Sequence, residues 1–201
     1  MNSKSLAYCN ETSGINISVL LNILRDEKLQ SQIIYEIENL FSPYLNNQKI
    51  GHKEKFMITD LHNYLPDDVL SLLDKTTMMN SLEGRVPYLD HRIVEHVFSN
   101  NSEIFDEKKA LNAKSVLKRI FKTEIPENIL NKKKVGFNAP LNEWFVENFT
   151  FFKKNFSNHN FYDQFFKKDF YSNDFLSKKD SAGLLFSLSM FDEWYKNNNE
   201  R

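Results

Sequence analysis

Apolar positions recur at helical spacing along most of this chain. Leu20, Leu21 and Leu24 share one face, and Ile33, Ile34, Ile37, Leu40 and Phe41 repeat the pattern one segment later, which predicts two amphipathic helices. Pro43 is expected to close that block, and the polar run NNQKIGHKEK after it predicts a loop. Pro66 fits the first turn of a further helix, with Asp67 and Asp68 where the helix dipole favours negative charge and Val69, Leu70, Leu72 and Leu73 continuing inward. In SLEGRVPYLD the local rules predict a helix end near Gly84, an extended Val86 before Pro87, and Asp90 as cap of a helix running to about Ser99. Val116, Leu117, Ile120 and Phe121 mark another helix, with Lys114, Lys118 and Arg119 off its apolar face. NKKKVGFNAPLNEWF predicts a loop opening into a short helix, and Leu184, Leu188, Phe191 and Tyr195 form a terminal helical stripe. No segment alternates convincingly as a strand, and no repeat is present, so the expected fold is mainly α.

Composition narrows the function classes. The 201 residues suffice for one domain with a sizeable core, and the formal net charge of -1 excludes a strong field directed at nucleic acid or an anionic membrane. One cysteine, Cys9, excludes an internal disulfide framework and an all-cysteine metal site, in keeping with a reducing cytoplasm. MNSKSLAYCNETSG has no apolar core of a leader, so neither a secretion signal nor a membrane span is expected. The five glycines are scattered, the closest pair (Gly51 and Gly84) being 33 positions apart. A loop that cradles phosphate with backbone N–H groups needs several glycines close together, so no main phosphate loop lies in this sequence.

The candidate chemistry rests on charge. Asp67, Asp68, Asp74, Glu83 and Asp90 cluster over 24 residues, and basic residues gather at 114–119 and 132–134. Carboxylates can hold magnesium and ammonium groups can neutralise phosphate. Each residue also has a local reading: first-turn helix acids for Asp67 and Asp68, an N-cap for Asp90, a solvated run for Lys132 to Lys134. Glu83, between Leu82 and the apolar VPYL, is either paired with Arg85 or held for use. The five histidines make no metal constellation, since His91 and His96 are five apart rather than four.

The order of these pieces resembles a known family. YLPDDVLSLLDKTTMMNSLEGRVPYLDHRIVEHVFS is similar to the synthetase domain of glutamine-hydrolysing asparagine synthetases, with its LPDDLL run, D-R/K-x-S/T-M element and SLE-A-R-x-P-F-LDH segment. ILNKKKVGFNAPLNEWF resembles the family's PKxGFxxPLxxW, ALNAKSVLKRIFKTEIPENIL the preceding lysine-bearing helix, and LLFSLSMFDEWYK the closing helix. The resemblance runs in order from about Phe56 to the C-terminus, so residues 51–201 are expected to be an asparagine-synthetase-like helical region and residues 1–50 an unassigned helical segment. It implies the helical C-terminal portion of an adenine-nucleotide α-hydrolase-like (PP-loop ATPase) synthetase domain, without the parallel-sheet half. It also implies activation of the aspartate side chain by ATP and Mg²⁺, then attack by ammonia. Glu83 and Lys134 match the family's catalytic base and phosphate-stabilising lysine. Lys114 matches a further phosphate contact, and Asp67 or Asp68 a magnesium ligand.

Some family elements have no counterpart. The Ser-Gly-Gly-x-Asp-Ser adenylating loop, the Ser-Gly-x-Gly-x-Asp-Glu stretch and the glutaminase domain with its N-terminal cysteine nucleophile are absent from the 201 residues, and Cys9 cannot take that last role. Gly84 stands where alanine is common and Tyr88 where phenylalanine is. The expectation is part of an amide ligase, inactive alone and completed by a second chain carrying the adenylating loop or the glutaminase domain. A non-enzymatic helical partner-binding module and a related ligase for another substrate are the alternatives. In each case an exposed apolar face, and with it association with a partner or with further copies, is expected.

Overall fold

The computed structural model describes residues 3–100, 114–132, 139–157, 162–168, 170 and 181–199. Among these the architecture is helical, and the only β pairing is an isolated antiparallel bridge between Leu24 and Phe166. The chain divides into two compact units, Met1–Tyr64 with Asn138–Arg201, and Leu65–Phe137.

The first unit opens with α1 (Lys4–Ser13), capped by the Ser3 hydroxyl, which accepts from the N–H groups of Ser5 and Leu6 at 3.1 and 3.3 Å. Gly14 ends it at φ 66°, the left-handed conformation that glycine adopts without a Cβ penalty. Asn16 caps α2 (Ile17–Ile23), and Asp26 caps α3 (Glu27–Leu45) by accepting from Lys28 N–H at 2.8 Å. Pro43 does not close this block. The helix runs through it to Leu45, which is buried with Tyr8 and Phe41, and that burial offsets the one intrahelical bond the proline cannot donate. Tyr8 on α1 packs edge-on against Phe41 of α3, ring centroids 4.9 Å apart, and donates to Asp60 of α4 (His52–His62) at 2.5 Å.

The two sequence-distant parts of this unit share one core. Ile17, Val19, Leu21, Ile23 and Leu24 bury against Tyr162, Phe166, Phe170, Leu184, Leu185 and Leu188. Backbone bonds join the same regions: Arg25 N–H donates to Phe165 O at 2.9 Å, and Lys167 N–H to Ile23 O at 2.8 Å. Gly183 lies where an added Cβ would run into the carbonyl oxygen of Gly14, so its missing side chain permits close approach.

In the second unit a π-helical turn (Leu65–Leu70) leads into α5 (Ser71–Met78). A single 3₁₀ turn (Pro87–Leu89) leads into α6 (His91–Ser99), and α7 (Ser115–Ile120) and α8 (Glu127–Leu130) follow. The first unit then resumes with α9 (Leu141–Glu147), α10 (Phe149–Ser157), α11 (Tyr162–Phe165) and α12 (Ala182–Asn199). The proposed terminal stripe is realised in α12 by buried Leu184 and Leu188 and by Tyr195 against the core, while Phe191 stays exposed. No described helix is long and apolar enough to cross a membrane.

Candidate functional site

The motif residues between Leu65 and Asp90 all belong to the second unit. Pro66 fixes the entry to the π-helical turn, and Asp67 and Asp68 follow it in that first turn with exposed side chains. α5 stops at Met78, five residues before Glu83 and earlier than the expected end near Gly84. The turn is made instead by Ser81, in the left-handed region at φ 56°, and is tied by Leu82 N–H to Thr77 O at 3.0 Å. Gly84 is therefore not a helix cap. Its role is close packing, since a Cβ there would lie 3.1 Å from Leu73 Cγ of α5.

Glu83 projects from the irregular stretch after this turn and pairs with Arg85, Nη2 to Oε1 at 2.8 Å. The side chains are 69% and 82% exposed, so this is a surface pair worth roughly 0–1 kcal/mol at most. Of the two readings the sequence left open for Glu83, the pairing is thus present, and its weakness leaves the carboxylate available to another partner. Val86 precedes Pro87 at φ −120°, as the proline demands. Asp90 caps α6 as expected, accepting from Arg92 N–H at 3.0 Å. The carboxylate also takes Arg92 Nε at 2.9 Å and Nη2 at 2.6 Å, a bidentate clamp invisible to spacing arguments. Those hydrogen bonds hold Asp90 below the usual aspartate range, the guanidinium contributing most.

Lys114 stands immediately before α7 with φ 62°, an uncommon conformation for a side-chain-bearing residue. Lys134 lies outside the described residues, as does the Gly-Phe turn beside it. The structure therefore places Asp67, Asp68, Glu83 and Lys114 in one unit, each on the surface. For magnesium the donor chemistry fits in a limited sense. Asp67 and Asp68 offer hard oxygen ligands, but the described residues hold no group of three or more His, Cys, Asp or Glu side chains able to take a metal. Such a pair suits an ion held mainly by phosphate oxygens and water.

The first unit carries a polar cluster that no motif announced. The buried Tyr162 hydroxyl donates to Leu188 O at 3.3 Å and lies against Asp192, which pairs with Lys196 Nζ at 2.6 Å. Burial first, and then the Asp192 carboxylate, push the Tyr162 phenol above its usual range. Tyr8 is pushed up in the same way by burial and Asp60. These are anchors for helices rather than reacting groups.

Comparison with known proteins adds an independent line. The family model for asparagine synthase matches residues 20–196. Asparagine synthetase [glutamine-hydrolyzing] 1 of Bacillus subtilis is 41% identical over 92 residues, which are 45% of this chain and 14% of that protein. A Mycobacterium bovis protein described as a glutamine-hydrolyzing asparagine synthetase is 37% identical over 87 residues, 42% of this chain and 13% of its own length. A third relative, from Acanthamoeba polyphaga mimivirus and of like description, is 32% identical over 91 residues, 45% of this chain and 16% of its own. The match thus spans about a seventh of each curated relative's length. No solved structure matches the chain.

Proposed function

The chain belongs to the asparagine synthase family, and from that premise we propose that it supplies part of an ATP-dependent amide ligase that makes asparagine and does not act alone. An aspartate side-chain oxygen attacks the α-phosphorus of ATP and pyrophosphate leaves. Ammonia nitrogen then attacks the acyl carbon, AMP leaves, and the protons shed by nitrogen pass to a carboxylate. Glu83 is that base, because it is a surface carboxylate held only by a weak pair with Arg85 and can turn to a substrate. Lys134 stabilises charge on the departing pyrophosphate and Lys114 contacts phosphate, as ammonium groups do best where charge develops. Asp67 or Asp68 contributes to holding Mg²⁺ with the nucleotide. The observation that carries the reading is the family match across residues 20–196, with the SLEGR carboxylate presented outward.

The test is aspartate-dependent exchange of pyrophosphate into ATP. The chain alone should show none; mixed with a chain bearing a Ser-Gly-Gly-x-Asp-Ser loop it should show exchange and form asparagine. Glu83→Gln in that mixture should keep exchange, which precedes ammonia attack, and lower asparagine formation by about 10²–10⁴-fold. Exchange by the chain alone would overturn the partial-site reading. Exchange driven by an acid other than aspartate would move the chain to a related ligase.

A second reading has its own support. The second unit buries none of its described residues and exposes Leu72, Met79, Leu82, Tyr88 and Ile120, as a surface made for a partner does. A complex that forms with a loop-bearing chain yet never exchanges pyrophosphate would favour this non-enzymatic module.

A further inference from the structure

The first unit has an open groove that the ligase reading does not use. Leu141, Trp144, Phe145 and Asn148 of the α9 segment, with Phe152 of α10, form one wall; Phe186, Ser189 and Met190 of α12 form the other. The groove encloses about 550 Å³ and its lining is almost wholly apolar. Phe145 and Phe152 stack at its base, centroids 4.4 Å apart, while Trp144, Phe186 and Met190 remain exposed on its walls. Aromatic and methionine side chains left exposed around a trough between helices are the ordinary substrate for helix-in-groove binding.

The polar groups of the groove say what charge it takes. Asn148 spends an amide N–H on Trp144 O at 2.8 Å, and the Ser189 hydroxyl proton goes to Leu185 O at 2.8 Å. Both side chains therefore offer oxygen lone pairs, and the serine offers no further donor. Glu193 continues the face of Phe186, Ser189 and Met190 at helical spacing, and exposed Glu147 follows Trp144 by three positions. The Glu193 carboxylate accepts a long bond from Asn197 at 3.3 Å. On α12 Lys196 is paired with Asp192 at 2.6 Å, and Lys153 and Lys154 follow Phe152 on α10. The exposed Trp144 ring itself attracts cations to its face.

We propose that this groove docks a cationic amphipathic helix of a partner protein, its apolar ridge between α9–α10 and α12 and its Lys or Arg side chains along Glu147 and Glu193. A small apolar ligand is a poorer occupant, because the open trough would leave much of it in water. The site lies in the unit that has a closed core, so its integrity can be checked independently of ligase activity.

A designed helical peptide of about 14 residues, leucine on one face and lysine on its flanks, tests it on the full chain by fluorescence anisotropy. Saturable binding is expected, weakened at least about tenfold by the double change Glu147→Lys and Glu193→Lys and by added salt. Met190→Asp should abolish binding while leaving the circular dichroism and urea midpoint unchanged, since Met190 is half exposed and not part of the core. A glutamate-flanked peptide binding equally well would overturn the proposal, and so would binding indifferent to Met190→Asp. Self-association of the chain that Met190→Asp abolishes, without peptide binding, would assign the groove to a second copy and equally overturn it.

Discussion

The two units are built from similar helices and end in opposite conditions. Every residue buried among those described lies in the unit formed by the chain's two ends. There Leu185 is 0% exposed and Leu45 1%, and α2 is buried along most of its length. The middle unit carries the LPDD and SLEGRVPYLDH segments and buries nothing that is described; Met79 is 85% exposed and Leu72 61%. α6 is sharply amphipathic, with Ile93, Val94, Val97 and Phe98 on one side, yet none of its residues is buried. The lesson is that amphipathicity announces a face to be covered and says nothing of whether this chain covers it. Burial among the described residues is concentrated in one region and the candidate site residues Asp67, Asp68, Glu83 and Lys114 in another.

The largest effect should come from cutting the covered core and its uncovered counterpart in parallel. Leu185→Ala removes a fully buried side chain from the shared core and is expected to cost about 2–5 kcal/mol in urea unfolding. Leu72→Ala, the same chemistry on an exposed face, should change stability by no more than about 0.5 kcal/mol. Equal costs would erase the distinction between the units. A Leu72→Ala cost that appears only when a loop-bearing chain is added would sharpen it into a statement about what covers the middle unit.

A smaller, pH-dependent effect should be confined to the first unit. Tyr162 and Tyr8 both hold their protons more tightly when folded than the ordinary phenol value of 10.0, burial being the main cause. A group whose folded pKa is raised stabilises fully below its unfolded value and loses that contribution as pH rises past it. The urea midpoint of the first unit should therefore be flat through neutral pH and fall above about pH 10. Tyr162→Phe should remove roughly 1 kcal/mol at neutral pH and make the alkaline fall shallower. An unchanged alkaline slope would mean that the Tyr162–Asp192 contact does not couple to unfolding.

Local features were legible in the sequence where the cause was local. The Asp90 cap, the α6 span and the short helix after Pro140 follow from residues within one turn of each other, and the structure has them. The end of α5 was misplaced because glycine is the usual left-handed residue, and here Ser81 takes that conformation while Gly84 is needed for contact with Leu73. The run of α3 through Pro43 likewise depends on the burial of Leu45 against Tyr8, a residue of another helix, which local sequence does not show. The groove beside α12 and the Tyr162–Asp192–Lys196 cluster join segments far apart in sequence, so no window of neighbouring residues contains them. Of the motif residues, sequence order identified the family, but the exposure of Glu83 and its pair with Arg85 are matters of geometry.

The finest test of the contrast is the cap of α6. Asp90 satisfies Arg92 N–H and clamps its guanidinium, and none of that helix's own residues is buried. A carboxylate whose folded pKa is depressed stabilises above its unfolded value and loses that contribution as pH falls through the folded one. Acid should therefore fray α6 first, below the ordinary aspartate range, as read from its amide exchange. Asp90→Ala should reproduce that fraying at neutral pH. Asp90→Asn, which keeps an oxygen for the Arg92 N–H but loses the charged clamp, should fall between the two. Neither change should move the urea midpoint of the first unit, because the buried residues among those described all lie in that unit. A midpoint that moved with Asp90 would show the two regions unfolding as one cooperative body, and the separation of stability from motif would then be a matter of exposure alone.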